Sequence, residues 1–260
     1  MEIKEWMRPE NLEAAYELYQ AGGVIVGGGA YMKLGKKSID KAVDLSRLGL
    51  DTVEETEKGI ELGAMVTLRE LERSPILKEH FGDVFSKLLS SISGVQLRNT
   101  ATIGGTVWGS YGFSDLLTLL LAMDAQAEMY REGWIPLETF LNKDKKSGLL
   151  VKVLLPKSAA KASALCYKKS QTDFSVINAA AARVDGKLRI AVGARPAGAR
   201  LALEAMKELN EVHQEDWDIE KAVAMAVEEL SFGSDARASA EYRKMLCKTL
   251  VKRCLEEVLG

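Results

Sequence analysis

Apolar and polar residues alternate along the first quarter of the chain with two different periods. Residues 9–20 place apolar side chains at helical spacing and predict a helix. Short apolar runs at 22–26 and 42–46 are typical of buried strands, and residues 55–68 predict two paired strands around Gly59. This part of the chain therefore mixes helices with short strands.

The middle of the chain is more helical. Residues 67–91 have helical spacing, with Thr67 as a possible N-terminal cap. The segment 114–126 is apolar on nearly every side, which predicts a buried helix that begins at Ser114 or Asp115. Strand patterns follow this helix, and they indicate that the chain returns to a sheet before its second half.

A change in composition divides the chain in two. Pro156 and the polar stretch after it mark a boundary near residue 158, so we expect domains at 1–158 and 159–260. The second domain begins with strand patterns around a turn at Asp185 and Gly186, and it ends with helices. The strand patterns cover 164–170, 174–184 and 187–194, and the helical patterns cover about 198–211, 217–230 and 237–259. The whole order predicts an α+β fold.

The bulk composition is that of an ordinary globular protein. The chain has 260 residues, 47% hydrophobic and 28% charged, with a net charge of −2, so it shows no basic surface for nucleic acid. Its longest strongly apolar run, 116–123, is far shorter than the roughly 20 residues of a membrane span. The N-terminus lacks the pattern of a secretory signal, and a cytoplasmic protein is expected.

Few residues offer metal or nucleophilic chemistry. The three cysteines form no closely spaced pair, and an iron–sulfur cluster held by cysteine needs four thiolates. The two histidines, His80 and His213, lie outside every recognisable motif. We therefore expect no metal site and no catalytic residue in this chain.

Two glycine clusters are the strongest candidates for a ligand site. Gly27, Gly28 and Gly29 follow a predicted strand, and Gly104 and Gly105 follow the strand-like stretch 101–103. Glycines at a strand end let a ligand approach the main chain, and successive amides form a nest for phosphate. Each cluster alone is equally compatible with a tight turn.

Two nucleotide-binding motifs fail at the first cluster. The dinucleotide fingerprint requires Gly or Ala where Met32 stands, and the phosphate loop of kinases requires Gly where Ala30 stands. A remaining possibility uses both clusters at once, because two nests that converge from distant parts of a chain could hold one diphosphate.

The two clusters and their neighbours resemble a known family. The segments VIVGGGAYMKLGKK and LRNTATIGGTVWGSYGFSDLLTLLLAMDA are similar to the FAD-binding subunit of molybdenum hydroxylases, which include xanthine dehydrogenase and carbon monoxide dehydrogenase. The resemblance continues through 173–182, 188–200 and 234–257, in the family's order. It implies a two-part FAD-binding domain of the PCMH/VAO-like type, followed by a smaller C-terminal domain with an antiparallel sheet and a three-helix bundle.

The resemblance also implies which residues contact FAD. The first loop would wrap the diphosphate, the second would add the Thr102 hydroxyl and two glycine amides, and Asp115 would accept hydrogen bonds from a sugar or ribityl hydroxyl. Ile92 and Phe174 would lie on opposite faces of the flavin ring, and Lys168 would place a cation near the ring. The full implied set is Val24, Ile25, Val26, Gly27, Gly28, Gly29, Ala30, Tyr31, Ile92, Thr102, Ile103, Gly104, Gly105, Thr106, Asp115, Leu150, Lys168 and Phe174.

This sequence departs from the family pattern at a few positions. Ala30 stands where a polar residue is common, Thr106 stands where Asn is usual, and residues 108–112 replace a stretch of small residues and proline. Trp108 and Tyr111 could change solvent access to the cofactor or stack on it.

The resemblance implies an electron-transfer role inside a larger complex. FAD would be bound non-covalently, and molybdopterin and [2Fe–2S] clusters would belong to separate partner subunits. Electrons would pass from the iron–sulfur partner through FAD to a soluble acceptor such as NAD, oxygen or a quinone. Two alternatives stay open: a self-contained FAD oxidoreductase, and an assembly subunit with weakened FAD binding.

Overall fold

The computed structural model describes residues 2–36, 38–143 and 146–260. Three sheets organise these ranges, one parallel and two antiparallel. Mixed helix and sheet in two successive parts confirms the predicted α+β class. No helix within these ranges is long and apolar enough to cross a membrane.

A small parallel sheet begins the chain. Its strands are β1 (Glu2–Met7), β2 (Val24–Val26) and β3 (Ser38–Asp44), in the order β1-β3-β2, and helix α1 (Leu12–Gln20) connects the first two. The α1 helix begins where the Asn11 side chain accepts a hydrogen bond from the Ala14 amide at 2.9 Å. Strand β2 ends directly at the first glycine cluster, as the sequence predicts.

An antiparallel sheet of five strands forms the second layer. The strands are β4 (Val53–Glu55), β5 (Ile60–Gly63), β6 (Gln126–Met129), β7 (Gly133–Pro136) and β8 (Leu150–Leu155), in the order β4-β5-β8-β6-β7. The buried side chains of Ile60, Leu62 and Val153 belong to the main hydrophobic core. The strand pair predicted around Gly59 is confirmed as β4 and β5.

Short helices cover this sheet. They are α2 (Leu68–Arg73), α3 (Pro75–Phe81), α4 (Val84–Ser90), α5 (Val95–Arg98), α6 (Ile103–Gly109), α7 (Asp115–Ala122) and α8 (Leu137–Leu141). The helical segment predicted at 67–91 is split into three, because Ser74 caps a new helix before Pro75 and Gly82 turns the chain at a φ of 63°. Thr67 is confirmed as the cap of α2.

The predicted buried helix at 114–126 is confirmed as α7. Ser114 caps it by accepting a hydrogen bond from the Leu117 amide at 3.3 Å, and all eight residues of the helix are buried. Its apolar surface packs against two strands of the C-terminal sheet, Ile177–Val184 and Lys187–Gly193. This helix therefore joins the two parts of the molecule.

The C-terminal part is an antiparallel sheet with helices on both faces. Its strands are β9 (Lys161–Tyr167), β10 (Ile177–Val184), β11 (Lys187–Gly193) and β12 (Arg200–Leu201), in the order β12-β11-β10-β9, and its helices are α9 (Leu203–Asn210), α10 (Ile219–Glu229) and α11 (Ala240–Leu259). Along β10, Ala179 and Ala181 pack in the core with α9–α11, whereas Ala180 and Ala182 pack in the core with α7. Small side chains at these positions allow helices to approach both faces.

Candidate functional site

A cleft of about 350 Å³ lies where the parallel sheet, α6 and the C-terminal part meet. This volume is within the range of small-molecule sites, about 300–1,000 Å³. Fourteen of the eighteen predicted cofactor contacts line it: Ile25, Gly27, Gly29, Ala30, Tyr31, Ile92, Thr102, Gly104, Gly105, Thr106, Asp115, Leu150, Lys168 and Phe174. The other four, Val24, Val26, Gly28 and Ile103, do not line the cleft.

The first glycine cluster forms a turn with unused hydrogen-bond donors. Gly28 and Gly29 have φ values of 68° and 70°, a left-handed conformation that glycine adopts without strain. Within the described ranges, no acceptor receives the backbone amides of Gly28, Gly29 and Ala30. The turn lines the cleft at Gly27, Gly29 and Ala30, so this end of the cleft suits an anionic ligand.

The second glycine cluster has a different structure from the one expected. The predicted strand at 101–103 is wrong: Thr102 is the cap of α6, and both glycines lie in the first turn of that helix. Propensity alone could not show this, because β-branched Thr and Ile favour strands elsewhere.

The amides of the second cluster already have acceptors. The Gly104 amide donates to the Ala64 carbonyl at 2.9 Å, and the Gly105 amide donates to the Thr102 hydroxyl at 3.1 Å. The second nest proposed from the resemblance is therefore satisfied within the chain.

The two glycine clusters touch each other. A methyl group added at Gly28 would lie 1.8 Å from the Thr100 carbonyl oxygen, and one added at Gly105 would lie 3.1 Å from the Gly27 carbonyl oxygen. Segments that are more than seventy residues apart in the sequence are thus in direct contact at one end of the cleft. Several of these glycines are required by this packing before any ligand is considered.

A buried polar network lies in the cleft beside α7. The Asp115 carboxylate accepts hydrogen bonds from Ser175 at 2.5 Å and Asn178 at 2.7 Å, and it pairs with the Lys168 ammonium at 3.1 Å. Lys168 also donates to the Ser91 carbonyl at 2.8 Å. A carboxylate offers about four lone-pair sites, so Asp115 retains room for one further donor such as a ligand hydroxyl.

The burial of Lys168 distinguishes it from an ordinary surface lysine. Its side chain is only 9% exposed, and its partner Asp115 is 4% exposed, so Lys168 is not a solvated surface lysine. A buried pair of this kind persists because each charge compensates the other. The pair fixes a cation and an anion beside the apolar wall of the cleft.

The remaining walls are apolar and aromatic. Ile92 packs against the main core, Leu150 is buried, and Phe174 is 40% exposed at the edge of the cleft. The Phe174 ring contacts Phe113 with 4.0 Å between ring centroids, and Phe113 stacks on Tyr111 at 5.4 Å. Sequence reasoning missed Phe113, although the unusual segment 108–112 immediately before it was the signal that could have found it.

The thiols contribute no reactive group to the cleft. Burial raises the pKa of Cys247 and of Cys254 to about 12, and both belong to the core under α11. Burial, more than the nearby Asp115 charge, also raises the pKa of Cys166, which lies 3.9 Å from the Ser91 hydroxyl. In the parts of the chain that the structure describes, no three His, Cys, Asp or Glu side chains converge on a metal position.

Comparison with known families covers most of the chain. Residues 1–158 match the family described as the FAD binding domain in molybdopterin dehydrogenase. Residues 165–258 match the CO dehydrogenase flavoprotein C-terminal domain. The first match includes both glycine clusters, and the second includes Lys168, Phe174 and the rest of the polar network's C-terminal members.

Individual relatives agree over nearly their full length. The uncharacterized protein YgfM of Escherichia coli (strain K12) is 28% identical over 265 residues, 96% of this chain and 94% of that protein. The 6-hydroxypseudooxynicotine dehydrogenase complex subunit alpha of Paenarthrobacter nicotinovorans is 25% identical over 279 residues, 98% and 94% of the two chains.

A solved structure shares the fold. Quinoline 2-oxidoreductase from Pseudomonas putida 86 superimposes with a TM-score of 0.85 over 100% of this chain and 98% of that chain, at 21% identity. At this identity the likeness concerns the fold alone. The family match, however, spans more than half of the sequence and the whole of the cleft's N-terminal side. The chain therefore belongs to the family of FAD-binding flavoprotein subunits of molybdopterin dehydrogenases, which are oxidoreductases.

Proposed function

We propose that the chain is the electron-transfer subunit of a heteromeric molybdenum hydroxylase and that FAD binds non-covalently in the cleft. Electrons would come from a [2Fe–2S] cluster on one partner subunit and leave to a soluble acceptor. Molybdopterin would belong to another partner subunit, where the organic substrate reacts. A cytoplasmic location remains a prediction of the sequence.

The observation that carries this proposal is that one cleft combines two kinds of lining. The turn at Gly28–Ala30 presents amides that have no acceptor among the described residues, and such amides suit a diphosphate. Other lining residues are apolar or aromatic, and they include Ile92 and Phe174, the residues proposed to face the flavin ring. A dinucleotide with a central diphosphate and flat ring systems has matching chemistry.

The polar network supports the same placement of FAD in the cleft. The remaining lone pair of Asp115 can accept a hydroxyl of the sugar or ribityl chain, while Lys168 holds a positive charge beside the apolar lining. When bound, FAD would supply a group that can take electrons one at a time from a [2Fe–2S] donor and pass on one or two, as the acceptor requires. The protein's own part is to hold the ring, exclude water and keep the Lys168 charge in place.

Non-covalent binding is supported because the cleft-lining residues include no histidine or cysteine, the usual attachment points of covalent flavin. Neither histidine lines the cleft, and two of the three thiols are deep in another core. Cys166 is half-buried, with a pKa raised by burial, so little of it is thiolate at neutral pH.

The heteromeric arrangement is supported by the residues that the chain lacks. Its sequence has too few cysteines for a cysteine-ligated cluster, so the electron donor would lie outside these 260 residues. The relative from Paenarthrobacter nicotinovorans is named as a subunit of a dehydrogenase complex. NAD, oxygen and a quinone all remain candidate acceptors.

One observation favours a second candidate, an assembly subunit with weak FAD binding. The amides of Gly104 and Gly105 are already occupied, and Ala30 and Thr106 depart from the family pattern. Under this alternative the chain would keep the cleft but would not depend on it to bind FAD.

The absorption spectrum of the purified chain separates these candidates. We expect flavin bands, and heat or acid should release FAD rather than FMN. A colourless protein that fails to bind added FAD would instead support the assembly role. Co-purification with a cysteine-rich iron–sulfur partner would support the complex, whereas a flavin-loaded chain that oxidises a small substrate alone would contradict it.

A further inference from the structure

Four aromatic side chains are in continuous contact across the cleft, and Tyr31 also contacts Phe113 with 5.6 Å between ring centroids. Tyr31 and Tyr111 have ring centroids 4.1 Å apart, Tyr111 and Phe113 are 5.4 Å apart, and Phe113 and Phe174 are 4.0 Å apart. All four line the cleft. We call this set the aromatic row.

The aromatic row connects three separate walls of the cleft. Tyr31 belongs to the first glycine turn, Tyr111 and Phe113 belong to the loop between α6 and α7, and Phe174 belongs to the C-terminal part. The two end members, Tyr31 and Phe174, are 41% and 40% exposed, while the two middle members are half-buried. The aromatic row therefore extends across the cleft at its exposed side.

The spacing of the rings leaves no passage between them. A flat ring inserted between two others needs about 7 Å between their centroids, because each carbon contact takes about 3.5 Å. Neighbouring rings in the row are separated by 4.0 to 5.4 Å. A ring-bearing ligand cannot cross this edge unless at least one ring of the row moves.

A hydrogen bond and a close contact hold the backbone that carries the middle of the row. The Gly112 carbonyl accepts a hydrogen bond from the Ala194 amide at 2.8 Å, which ties the loop to the C-terminal part. A methyl group added at Gly109 would lie 2.4 Å from the Tyr111 ring, so this glycine leaves the space that the ring fills. Opening the row would therefore require rotation of the Tyr111 or Phe113 side chain.

We propose that the aromatic row is a gate, and that Tyr111 and Phe113 set the rates at which a flat-ring cofactor enters and leaves the cleft. This inference rests on the proposed function, because FAD is the ligand that must pass. A gate lowers association and dissociation rates together and leaves the equilibrium affinity nearly unchanged. Residues that only contact the bound ring act mainly on dissociation.

The test measures FAD association and dissociation by stopped-flow fluorescence on the full-length chain stripped of flavin. In Tyr111→Ala and Phe113→Leu, we expect both rates to rise at least fivefold, with Kd within threefold of the unaltered chain. Gly109→Ala displaces the Tyr111 ring without removing it and should also raise both rates. Tyr111→Phe keeps the ring and should keep the original rates. Trp134→Ala, which removes a half-buried ring outside the cleft, is the matched control.

The outcomes separate the gate from the proposed function. If the unaltered chain binds no FAD, the proposed function fails, and the gate fails with it. If FAD binds and only the dissociation rate rises, the rings are contact residues and the gate is overturned. Unchanged rates in Tyr111→Ala and Phe113→Leu overturn it as well. In Phe113→Leu the leucine fills more of the ring's space than alanine would. Tyr111→Ala changes a different residue, so if one of the two variants misfolds, the other still tests the gate.

Discussion

The two glycine clusters look alike in sequence but differ in structure. The cluster at 27–29 follows a strand, turns through two positive φ values and leaves its amides without acceptors in the described chain. The cluster at 104–105 begins a helix, and both of its amides are satisfied by Ala64 and Thr102. The first cluster therefore presents donors to the cleft, while the second brings a helix close to the sheet.

This difference separates two reasons for which a protein uses glycine. At Gly29 a side chain would meet no atom closer than 3.6 Å, so the glycine is needed for its backbone conformation and for space in the cleft. At Gly104 a side chain would lie 2.5 Å from the Ala64 carbonyl oxygen, so the glycine is needed for packing. Gly28 combines both requirements, and substitutions can separate them.

The largest effect is expected for Gly28→Ala. The added methyl group would lie 1.8 Å from the Thr100 carbonyl oxygen, and the residue would also be held at a φ of 68°. We expect the free energy of unfolding to fall by more than about 3 kcal/mol, since strain and overpacking add here. FAD affinity should fall at least a hundredfold, because the two clusters must separate. Chemical denaturation and FAD titration measure these effects.

Gly82→Ala is the matched control for backbone strain. Gly82 has a φ of 63°, and a methyl group there would meet nothing within 4 Å. With ψ at −143°, Gly82 lies in a region that only glycine readily adopts, so its substitution should lower stability by about 1–3 kcal/mol and leave FAD affinity unchanged. Equal losses in Gly28→Ala and Gly82→Ala would show that contact between the clusters is unimportant.

A smaller loss of stability is expected for Gly104→Ala. The methyl group would lie 2.5 Å from the Ala64 carbonyl oxygen and would push α6 away from the sheet. Overpacking of this kind typically costs about 1–3 kcal/mol. FAD affinity should fall less than in Gly28→Ala, because this glycine serves packing rather than presenting its amide. A variant with normal stability that has lost FAD would reverse this assignment.

The outcome at these glycines shows how far the sequence could lead. Helix α7, the hairpin at Asp185 and Gly186 and the C-terminal helices were predictable, because long periodic patterns and turn residues determine them locally. The helical start at Ile103 was not, because it depends on the Ile103 amide donating to the Val66 carbonyl at 2.9 Å, a contact with another segment. Strand β1 was not predicted either, because several of its residues are charged and their pattern does not indicate the pairing with β3.

The candidate site, like the fold, was predictable only in part. The resemblance suggested most of the residues that line the cleft, but it could not show which donors and acceptors are already used within the chain. Asn178 and Ser175 were not suggested, because their role depends on the fold bringing them to Asp115. Hydrogen-bond partners between distant segments are a property of tertiary structure.

A third substitution, Gly29→Ala, tests the amide turn without a collision. The residue would be held at a φ of 70°, at a cost of about 1–2 kcal/mol in stability. The methyl group would occupy space beside the amides at the edge of the cleft, so we expect FAD affinity to fall at least tenfold. Gly82→Ala again gives the effect of strain alone. Retained FAD affinity in Gly29→Ala would mean that the diphosphate does not lie against this turn.

The smallest effect is expected for Thr102→Val, which removes one hydroxyl and keeps the shape of the side chain. In the structure this hydroxyl accepts a hydrogen bond from the Gly105 amide at 3.1 Å and caps α6. Its loss should lower the free energy of unfolding by about 1 kcal/mol. If the second cluster is mainly structural, FAD affinity should change less than threefold, and Thr102→Ser should restore the stability. If Thr102→Val instead weakens FAD binding tenfold or more at unchanged stability, the hydroxyl contacts the cofactor. Both clusters would then bind the diphosphate, and the structural distinction between them would disappear when FAD is present.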